Sequence, residues 1–365
     1  MSFGARALIR LGALGHNLQR IRKQARGARV MAVIKANAYG HGLLPVAAAL
    51  EQADSLTIAR LSEASCLRDA GIGKPLVLLA GVLSADDLPL AAELGVELGV
   101  HTPVQIDWLE TTGQRGFVVW LKVDTGMRRL GFMPDDVAAA LDRLRRCNAV
   151  SEVRLMTHLA CAEDPDTAAT PRQLERFRSV IAGFDGAVSV ANSPALFGWS
   201  DEIGAALAGH TDVWIRPGLA LYGISPFADG SGADFGLKPV MQFETHLIAV
   251  KPIREGDRVG YGGTWRAERD TTLGIIAAGY GDGYSRYIPS GTPVLINDRR
   301  VPLAGVVSMD MSAVDLGADA DDRLGDVAIL WGDALPVEEV ARCAGTIPYQ
   351  LVCGVTHREA AEVID

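Results

Sequence analysis

The sequence lacks any apolar run long enough to cross a membrane. The best stretch, residues 76–83, has the length of a strand, whereas a spanning helix needs about 18 apolar residues or more. Cysteine is scarce as well: the five cysteines are an odd number and form no CxxC pair, so the sequence predicts neither a disulfide framework nor a zinc site. We therefore expect a protein with no membrane partner that works in a reducing cytoplasm.

Acidic residues are absent before Glu51, although eight lysines and arginines precede it. Such a stretch can be mistaken for an organelle transit peptide. Residues 8–11 nevertheless have the pattern of a first strand, and residues 14–21 have the apolar spacing of a basic amphipathic helix. Over the whole chain, 35 Lys and Arg face 44 Asp and Glu, and the net charge of -9 argues against nucleic acid as a partner.

The 365 residues exceed what one hydrophobic core usually organises, and the pattern changes near residue 230. Before it, short β-branched runs alternate with stretches whose apolar residues lie three and four apart, which is typical of βα units around a parallel sheet. The predicted strands are 30–34, 56–58, 76–79, 117–123, 153–156 and 188–190. The predicted helices are 45–53, 62–70, 85–94, 104–111, 134–146 and 170–181.

Roughly eight such units fit, and no Gly-rich dinucleotide fingerprint follows the first strand, which favours a closed barrel over an open sheet. A Gly/Asp-rich stretch at 229–236 separates this half from strands expected at 243–250, 272–278, 293–296, 311–316 and 327–330. The predicted fold class is α/β, with an N-terminal (β/α)8 TIM-type barrel over residues 1–230 and a C-terminal mainly-β domain over 231–365. The first strand is a candidate member of that β domain.

The segment AVIKANAYGHG, residues 32–42, places Lys35 at the end of an apolar strand and directly before a polar, Gly-rich loop. In a βα barrel, the carboxyl ends of the strands form the catalytic face. Burial favours the neutral amine of a lysine, which can then form an imine with a carbonyl group. On position alone, a surface lysine at a strand end would be the more common case.

All eleven positions of this segment resemble, in the same order, the pyridoxal-phosphate signature of the alanine racemases. The resemblance continues through KVDTGMRRLG at 122–131, TH at 157–158, ANS at 191–193, RPGLALYG at 216–223, VGYG at 259–262 and SMD at 308–310. It implies a (β/α)8 barrel followed by a β domain, and pyridoxal 5′-phosphate as cofactor. It also implies a small amino-acid substrate and a homodimer with shared active sites.

The resemblance implies two catalytic residues on opposite faces of the substrate. Lys35 would hold the cofactor covalently and act as one base, and Tyr261 of the partner subunit would be the other. A single base could also racemise by swinging across the substrate plane, but two fixed bases are the stronger design, because one removes the Cα proton and the second returns a proton to the far face. Without the resemblance, Tyr261 would be interpreted as an aromatic residue in a β turn.

The cofactor contacts are also implied by the resemblance. Arg216 would face the pyridine nitrogen, which would stay unprotonated because a guanidinium keeps its proton in proteins. The ring would then be a weaker electron sink, which favours return of a proton over transamination. Asn192 to Pro194 additionally have the pattern of a helix start, where free amides bind anions. The full expected set is Lys35, Tyr39, His158, Asn192, Ser193, Arg216, Gly218 and Leu219.

Two further residues are expected at the substrate. Arg129 and the backbone amide of Met309 from the partner subunit would bind its carboxylate, since a planar guanidinium can bind an anion in two places. The resemblance also implies that Lys122, seven residues before Arg129, is a candidate for carbamylation and would then support this arginine.

Two places depart from the family pattern. Val306 stands where an arginine usually precedes Ser-Met-Asp, and the C-terminal Arg-Val-Pro is replaced from Arg358 onward by REAA, with His357 where a tyrosine often stands. We therefore expect an access channel of different charge and width, which leaves substrate range open. Alanine remains the expected substrate because Tyr261, Met309 and either Tyr280 or Tyr284 would leave little room for a larger side chain.

Four alternatives follow from the same residues. A racemase for serine or for a broader set of amino acids is the nearest one. A decarboxylase would need a substrate carboxylate that is free to leave, and a pyridoxal-phosphate carrier would have little use for a second, β domain. A metal enzyme is disfavoured, because the seven histidines are scattered without ligand spacing such as HxxxH, so no metal site is expected.

Overall fold

The computed structural model describes residues 3–356, 358 and 361–364. Its N-terminal part is a closed barrel of eight parallel strands that pair in chain order, with the last closing onto the first. One strand, β1 (Arg6–Arg10), precedes the barrel. The barrel strands are β2 (Arg29–Val33), β3 (Ser55–Ile58), β4 (Leu76–Leu78), β5 (Val96–Val100), β6 (Phe117–Val123), β7 (Val150–Thr157), β8 (Val188–Ser189) and β9 (Val213–Ile215).

Helices follow the strands and bury their apolar stripes against the outside of the barrel. In α7, for example, Val137, Ala140, Leu141 and Leu144 are buried at spacings of three and one, whereas its last turn is basic. The helices of this part are α1 (Leu11–Gln24), α2 (Lys35–Tyr39), α3 (Leu43–Ala49), α4 (Leu61–Asp69), α5 (Leu88–Glu93), α6 (Pro103–Thr111), α7 (Val137–Arg146), α8 (Ala169–Ile181), α9 (Ser193–Gly198) and α10 (Ser200–Ala206). Short 3-10 turns lie at Ala85–Asp87, Pro134–Asp136 and Leu219–Tyr222.

A separate apolar cluster fills the inside of the barrel, because strand side chains point alternately inward and toward the helices. Its members are Met31, Val77, Trp120, Met156, Ala187 and Trp214. Met156 also lines the cavity described below. This cluster therefore fills the barrel interior directly beneath the candidate site.

The remaining strands form the β part, in a sheet ordered β15-β14-β17-β10-β1-β18, with β13 paired to β10 and β16 paired to β13. The long strand β10 contacts three neighbours, and β1 lies between β10 (antiparallel) and β18 (parallel). The strands are β10 (Met241–Ile253), β11 (Arg258–Val259), β12 (Trp265–Arg266), β13 (Thr271–Ile276), β14 (Pro293–Ile296), β15 (Arg299–Pro302), β16 (Ser312–Gly317), β17 (Val327–Trp331) and β18 (Glu362–Ile364). Two helices, α11 (Val337–Cys343) and α12 (Pro348–Gly354), precede β18.

The predicted fold class is confirmed: a (β/α)8 barrel is followed by a mainly-β part. Boundaries differ in places. The helix predicted at 45–53 runs instead from Leu43 to Ala49, and the one predicted at 85–94 is a 3-10 turn followed by α5, because a proline at the start of α5 begins a new helix there. Strands β5 and β9 were not predicted, since Gly99 interrupts the apolar run of β5 and β9 has only 3 residues.

Within the part of the chain that the structure describes, no helix has both the length and the apolar character needed to span a membrane. Three of the C-terminal departures from the family pattern, His357, Glu359 and Ala360, lie outside the described residues.

Candidate active site

A cavity of about 180 Å³ opens at the carboxyl ends of the barrel strands. Tyr349 and the inward-facing ends of β2, β4 and β7 complete its wall. The structure thus brings together ten residues that the sequence singled out: Lys35, Tyr39, Lys122, Arg129, His158, Asn192, Ser193, Arg216, Gly218 and Leu219.

Lys35 begins a turn of left-handed backbone. The four residues after it, from Ala36 to Tyr39, all have positive φ values between 53° and 55°. Left-handed backbone costs about 1–2 kcal/mol for each L-residue, so this segment stores strain beside the lysine. Strain of this kind persists only where the surroundings determine the conformation, and it is concentrated at functional sites.

Hydrogen bonds from three sides hold the strained turn. The Ala36 amide donates to Glu63 Oε1 at 2.7 Å, and the Leu43 amide donates to Asn37 Oδ1 at 2.8 Å. His41 Nδ1 lies 2.9 Å from the carbonyl oxygen of Tyr39 and 3.1 Å from that of Ala38, so we assign the proton of this ring to Nδ1. Burial lowers the pKa of His41 to about 4, and the ring is therefore neutral at neutral pH.

Aromatic packing fixes the direction of the Tyr39 side chain. Its ring stacks on that of Tyr222 with 4.9 Å between centroids, and the Tyr222 hydroxyl donates to the carbonyl oxygen of Val33 at 2.9 Å. The Tyr39 hydroxyl points at Gly218, where an added Cβ would lie only 2.5 Å from the oxygen. Only glycine fits there. Burial raises the pKa of Tyr39, so its hydroxyl stays protonated and can donate.

Hydrogen-bond donors converge beside this hydroxyl. Ser193 Oγ accepts from the amides of Gly218 at 3.0 Å and Ala220 at 3.2 Å, and Asn192 Oδ1 caps α9 by accepting from the Ala195 amide at 3.1 Å. The segment at Leu219 starts a 3-10 turn, so its first amides point outward from that turn. We call the Tyr39 hydroxyl, the Ser193 hydroxyl, Gly218 and the Leu219 amide the anion cradle, because small donors without bulk suit a phosphate.

Positive charge dominates the cavity. Four cationic side chains, Lys35, Lys122, Arg129 and Arg216, line it, and the described residues of its lining include no carboxylate. Burial and then Arg129 lower the pKa of Lys35, while burial, Arg216 and Arg129 lower the pKa of Lys122 to about 8. The site therefore favours anionic ligands and neutral amines.

Arg216 is the most buried of the four. Its guanidinium donates to the Ser189 hydroxyl and to the carbonyl oxygens of Thr157 and Val190. Burial lowers its pKa to about 10, which leaves it charged at neutral pH. Burial, followed by the charge of Arg216, lowers the pKa of His158 to about 3, so His158 is a neutral imidazole.

Arg129 lies on the loop between β6 and α7. Asp124 Oδ1 accepts from the amides of Gly126 at 2.9 Å and Arg128 at 3.1 Å. The loop is closed at its base because the Asp124 amide donates to the Phe132 carbonyl oxygen and the Phe132 amide donates to the Lys122 carbonyl oxygen, both at 2.8 Å. Lys122 on β6 reaches the carbonyl oxygen of Leu79 at 3.3 Å. The loop thus returns Arg129 to the rim, where its side chain stays exposed.

Tyr261 and Met309 do not belong to this cavity within one chain. They lie in the β part, and their residues are 70% and 54% exposed. Of the two tyrosines considered beside them, Tyr284 is fully buried against Trp331, with 6.4 Å between ring centroids, so only Tyr280 remains partly exposed.

Two residues of the site escaped the sequence analysis. Tyr349, the second residue of α12, has its ring 5.8 Å from that of Tyr39, and burial raises its pKa to about 12. Glu63 holds the amide next to Lys35. From the sequence, a glutamate at the third position of a helix predicts only a capping box. Glu63 does cap α4 in this way, because its Oε2 accepts from the Arg60 amide at 3.0 Å.

Comparisons with known proteins match both parts of the chain to the same family. The family descriptions "Alanine racemase, N-terminal domain" and "Alanine racemase, C-terminal domain" match residues 9–226 and 240–363. The alanine racemase of Vibrio parahaemolyticus is 48% identical over 98% of both chains, and that of Pectobacterium carotovorum is 49% identical over 99% of both. The crystal structure of the biosynthetic alanine racemase from Pseudomonas aeruginosa covers 100% of both chains with a TM-score of 0.94 at 40% identity.

Acid should destabilise the protein through its neutral histidines. His41 has its pKa lowered from 6.5 to about 4, so between these pH values the unfolded chain binds a proton that the folded chain does not. The free energy of unfolding should therefore fall by about 3 kcal/mol from this group as pH drops through that window. Urea unfolding at several pH values measures it. The variant His41→Asn, which keeps a donor near Nδ1, should show a shallower fall; an identical fall in both proteins contradicts the assignment.

Relieving the left-handed backbone should stabilise the fold. Ala36→Gly is expected to raise the free energy of unfolding by up to about 1 kcal/mol, because the strain removed exceeds the freedom that glycine adds to the unfolded chain. Ala48→Gly, at an exposed right-handed position in α3, is the matched control and should lower stability by about 1 kcal/mol. Urea midpoints compare them, and equal losses in both variants would count against stored strain.

Proposed function

Because the chain belongs to the alanine racemase family of isomerases, we propose that it interconverts L-alanine and D-alanine with pyridoxal 5′-phosphate as its cofactor. The observation that carries the proposal is that Lys35 and the anion cradle line the same cationic cavity. A lysine able to bond an aldehyde and a separate cradle for a phosphate are the two attachment points that this cofactor requires.

The residues present fit the cofactor. The space that a Cβ at Gly218 would take beside the Tyr39 hydroxyl is left open. The Gly218 amide donates to Ser193 Oγ at 3.0 Å, so the Ser193 hydroxyl hydrogen and the Leu219 amide would be the further donors for a phosphate. Asn192 fixes the start of α9 beneath them, and Arg216 would meet the pyridine nitrogen. When bound, pyridoxal phosphate supplies an electron-withdrawing ring that acidifies the Cα proton of an attached amino acid.

The protein's own groups would move the proton. Burial and Arg129 favour the neutral form of the Lys35 amine, which suits a base that takes a proton from one face of Cα. Tyr261 of the partner subunit would serve the opposite face, so that exchanging their roles reverses the reaction. Arg216 and the neutral His158 would keep the pyridine nitrogen without a proton, which favours proton return over side reactions.

We propose a homodimer in which each β part completes the partner's cavity. Exposure supports it: Tyr261 and Tyr287 are 70% and 87% exposed, and Met309 is 54% exposed, on a surface of the β part. A partner subunit would cover large apolar side chains that a single chain leaves in water. In the dimer, Arg129 and the backbone amide of Met309 of the partner subunit would bind the substrate carboxylate.

We propose that Lys122 is carbamylated. Its pKa of about 8 provides neutral amine at neutral pH, and the amine can add to carbon dioxide to give a carbamate with release of one proton. The product would place a negative charge between Arg129 and Arg216, where the ammonium form is repelled by both. A carbamate there would hold Arg129 toward the substrate.

Three broader parts of the proposal concern substrate range, location and domains. Val306 and the C-terminal departures keep a racemase for serine or a broader set of amino acids as the alternative on this scaffold.

The five cysteines are free thiols, which supports a cytoplasmic enzyme that supplies or consumes D-alanine. We further propose that residues 1–230 and 231–365 are the two domains, with β1 contributed to the second.

Removing Lys35 should abolish both cofactor attachment and activity. The holoenzyme should be yellow, and borohydride should fix the colour to the chain. In Lys35→Ala the colour should wash out after reduction, and turnover should fall at least about 10²- to 10⁴-fold, since a placed base is lost. Absorption spectra and a racemisation assay measure this. Lys23→Ala, at an exposed position of α1, should behave as wild type; a colourless wild-type protein, or equal labelling of Lys35→Ala, would overturn the anchor.

Mixing two inactive variants should restore activity if sites are shared. Lys35→Ala and Tyr261→Phe each lack one base, but a mixed dimer contains one site with both. Random exchange should recover roughly a quarter of wild-type activity, because half of the dimers are mixed and each has one intact site. Tyr287→Phe, exposed on the same β part, should stay active alone. Mixed dimers that form without regaining activity would refute the shared site.

A further inference from the structure

We propose that Gln173 and Arg176, on α8, are positioning residues that hold the loop carrying Arg129 and thereby set where the substrate carboxylate binds. The inference rests on the proposed function for the role of Arg129. It extends that function to a helix outside the cavity, since neither side chain is part of the cavity lining within the described residues.

Two hydrogen bonds attach the loop over residues 124–132 to α8. Arg176 Nη1 donates to the carbonyl oxygen of Thr125 at 2.8 Å, and Gln173 Nε2 donates to the Thr125 hydroxyl at 3.1 Å. Gly126 packs directly against both side chains: an added Cβ would lie 3.1 Å from Gln173 Cγ and 3.5 Å from Arg176 Nη1, at a φ of +155°. The loop therefore rests on α8 three residues before Arg129.

Gln173 joins this loop to a second segment of the catalytic face. It is 3% exposed, its Nε2 also donates to the carbonyl oxygen of His158 at 3.0 Å, and its Oε1 accepts from the Ala160 amide at 2.9 Å. Both N–H groups and the carbonyl are thus used, which is the full satisfaction expected of a buried amide. One side chain fixes the segments that follow β6 and β7.

The hydrogen bonds beyond Gln173 run in one direction. Thr157 Oγ1 donates to the carbonyl oxygen of Val123 at 2.9 Å, so the 2.8 Å contact between Thr125 Oγ1 and Thr157 Oγ1 has Thr125 as donor. The Thr125 hydroxyl oxygen in turn accepts a hydrogen bond from Gln173 Nε2. The chain ends beside Arg216, which donates to the Thr157 carbonyl. A glutamate at 173 has the same size but cannot donate when ionised, so it breaks the chain at its start.

The two residues differ in what their loss should do to folding. Gln173 is buried, and its replacement disturbs several partners. Arg176 is exposed and makes a single hydrogen bond to the loop, so Arg176→Ala should fold normally. Arg172, also exposed on α8, provides the matched control.

The test compares Arg176→Ala, Gln173→Glu and Arg172→Ala in the cofactor-loaded dimer. We expect Arg176→Ala to raise KM for alanine about three- to tenfold, the worth of one hydrogen bond, with kcat within about twofold. Gln173→Glu should move KM further in the same direction. Arg176→Lys, which keeps a cationic donor, should restore part of the loss, and Arg172→Ala should match wild type. Unchanged KM in both loop variants, or equal changes in Arg172→Ala, would overturn the proposal.

A second readout does not depend on racemase activity. Hydrogen exchange of the amides from residue 126 to 131 should quicken in Arg176→Ala and Gln173→Glu but not in Arg172→Ala. If the wild-type protein racemises no amino acid, the proposed function fails while this measurement still decides whether α8 holds the loop. Unaltered protection in both variants would refute the positioning role.

Discussion

Four cations share one small cavity, and the rest of the site follows from their mutual repulsion. Lys35, Lys122, Arg129 and Arg216 meet at about 180 Å³ of space whose described lining has no carboxylate to balance them. Taking such groups from water is costly unless ligands or neutral forms compensate. The protein meets this cost by anchoring Arg216 to three oxygens and by depressing the pKa of both lysines. A bound anion would neutralise part of the remaining positive charge, and the anion cradle lines the same cavity.

Rigidity around that charge comes from two different sources. Below the cavity, large side chains such as Trp120 and Trp214 fill the barrel, so the close-packed interior resists displacement of the strands. Beside it, the turn after Lys35 keeps an unfavourable backbone because Glu63, Asn37 and His41 hold it. Strain beside a reacting group is useful when it fixes direction, since relaxation of the turn would also move the lysine.

The sequence predicted the barrel and the β part because these depend on local pattern, and it predicted ten of the cavity's residues because they lie in several short motifs that resemble those of the alanine racemases. It did not predict features that depend on tertiary contact. No propensity of Ala36 or Ala38 indicates left-handed backbone, and Tyr349 reaches the cavity from a helix that follows the β strands. The helix containing Gln173 was predicted from its periodicity, yet its buried amide has meaning only where the ends of β6 and β7 meet. Short strands such as β9, with 3 residues, are stabilised by neighbours more than by their own composition.

The pairing of β1 constrains the order in which the chain can fold during its synthesis. This strand is made before its partners, because β10 and β18 begin at Met241 and Glu362. Strands β2 to β9 can close their barrel once Ile215 has left the ribosome, whereas β1 keeps both edges unpaired until β10 emerges and one edge unpaired until β18 emerges. Meanwhile the basic helix α1 can already dock, because it packs on α3, α9 and the 3-10 turn at Leu219–Tyr222, all of which are made by then. The nascent chain therefore carries one open edge of β1 until β18 has been made, and an open strand edge is a template for pairing with another chain.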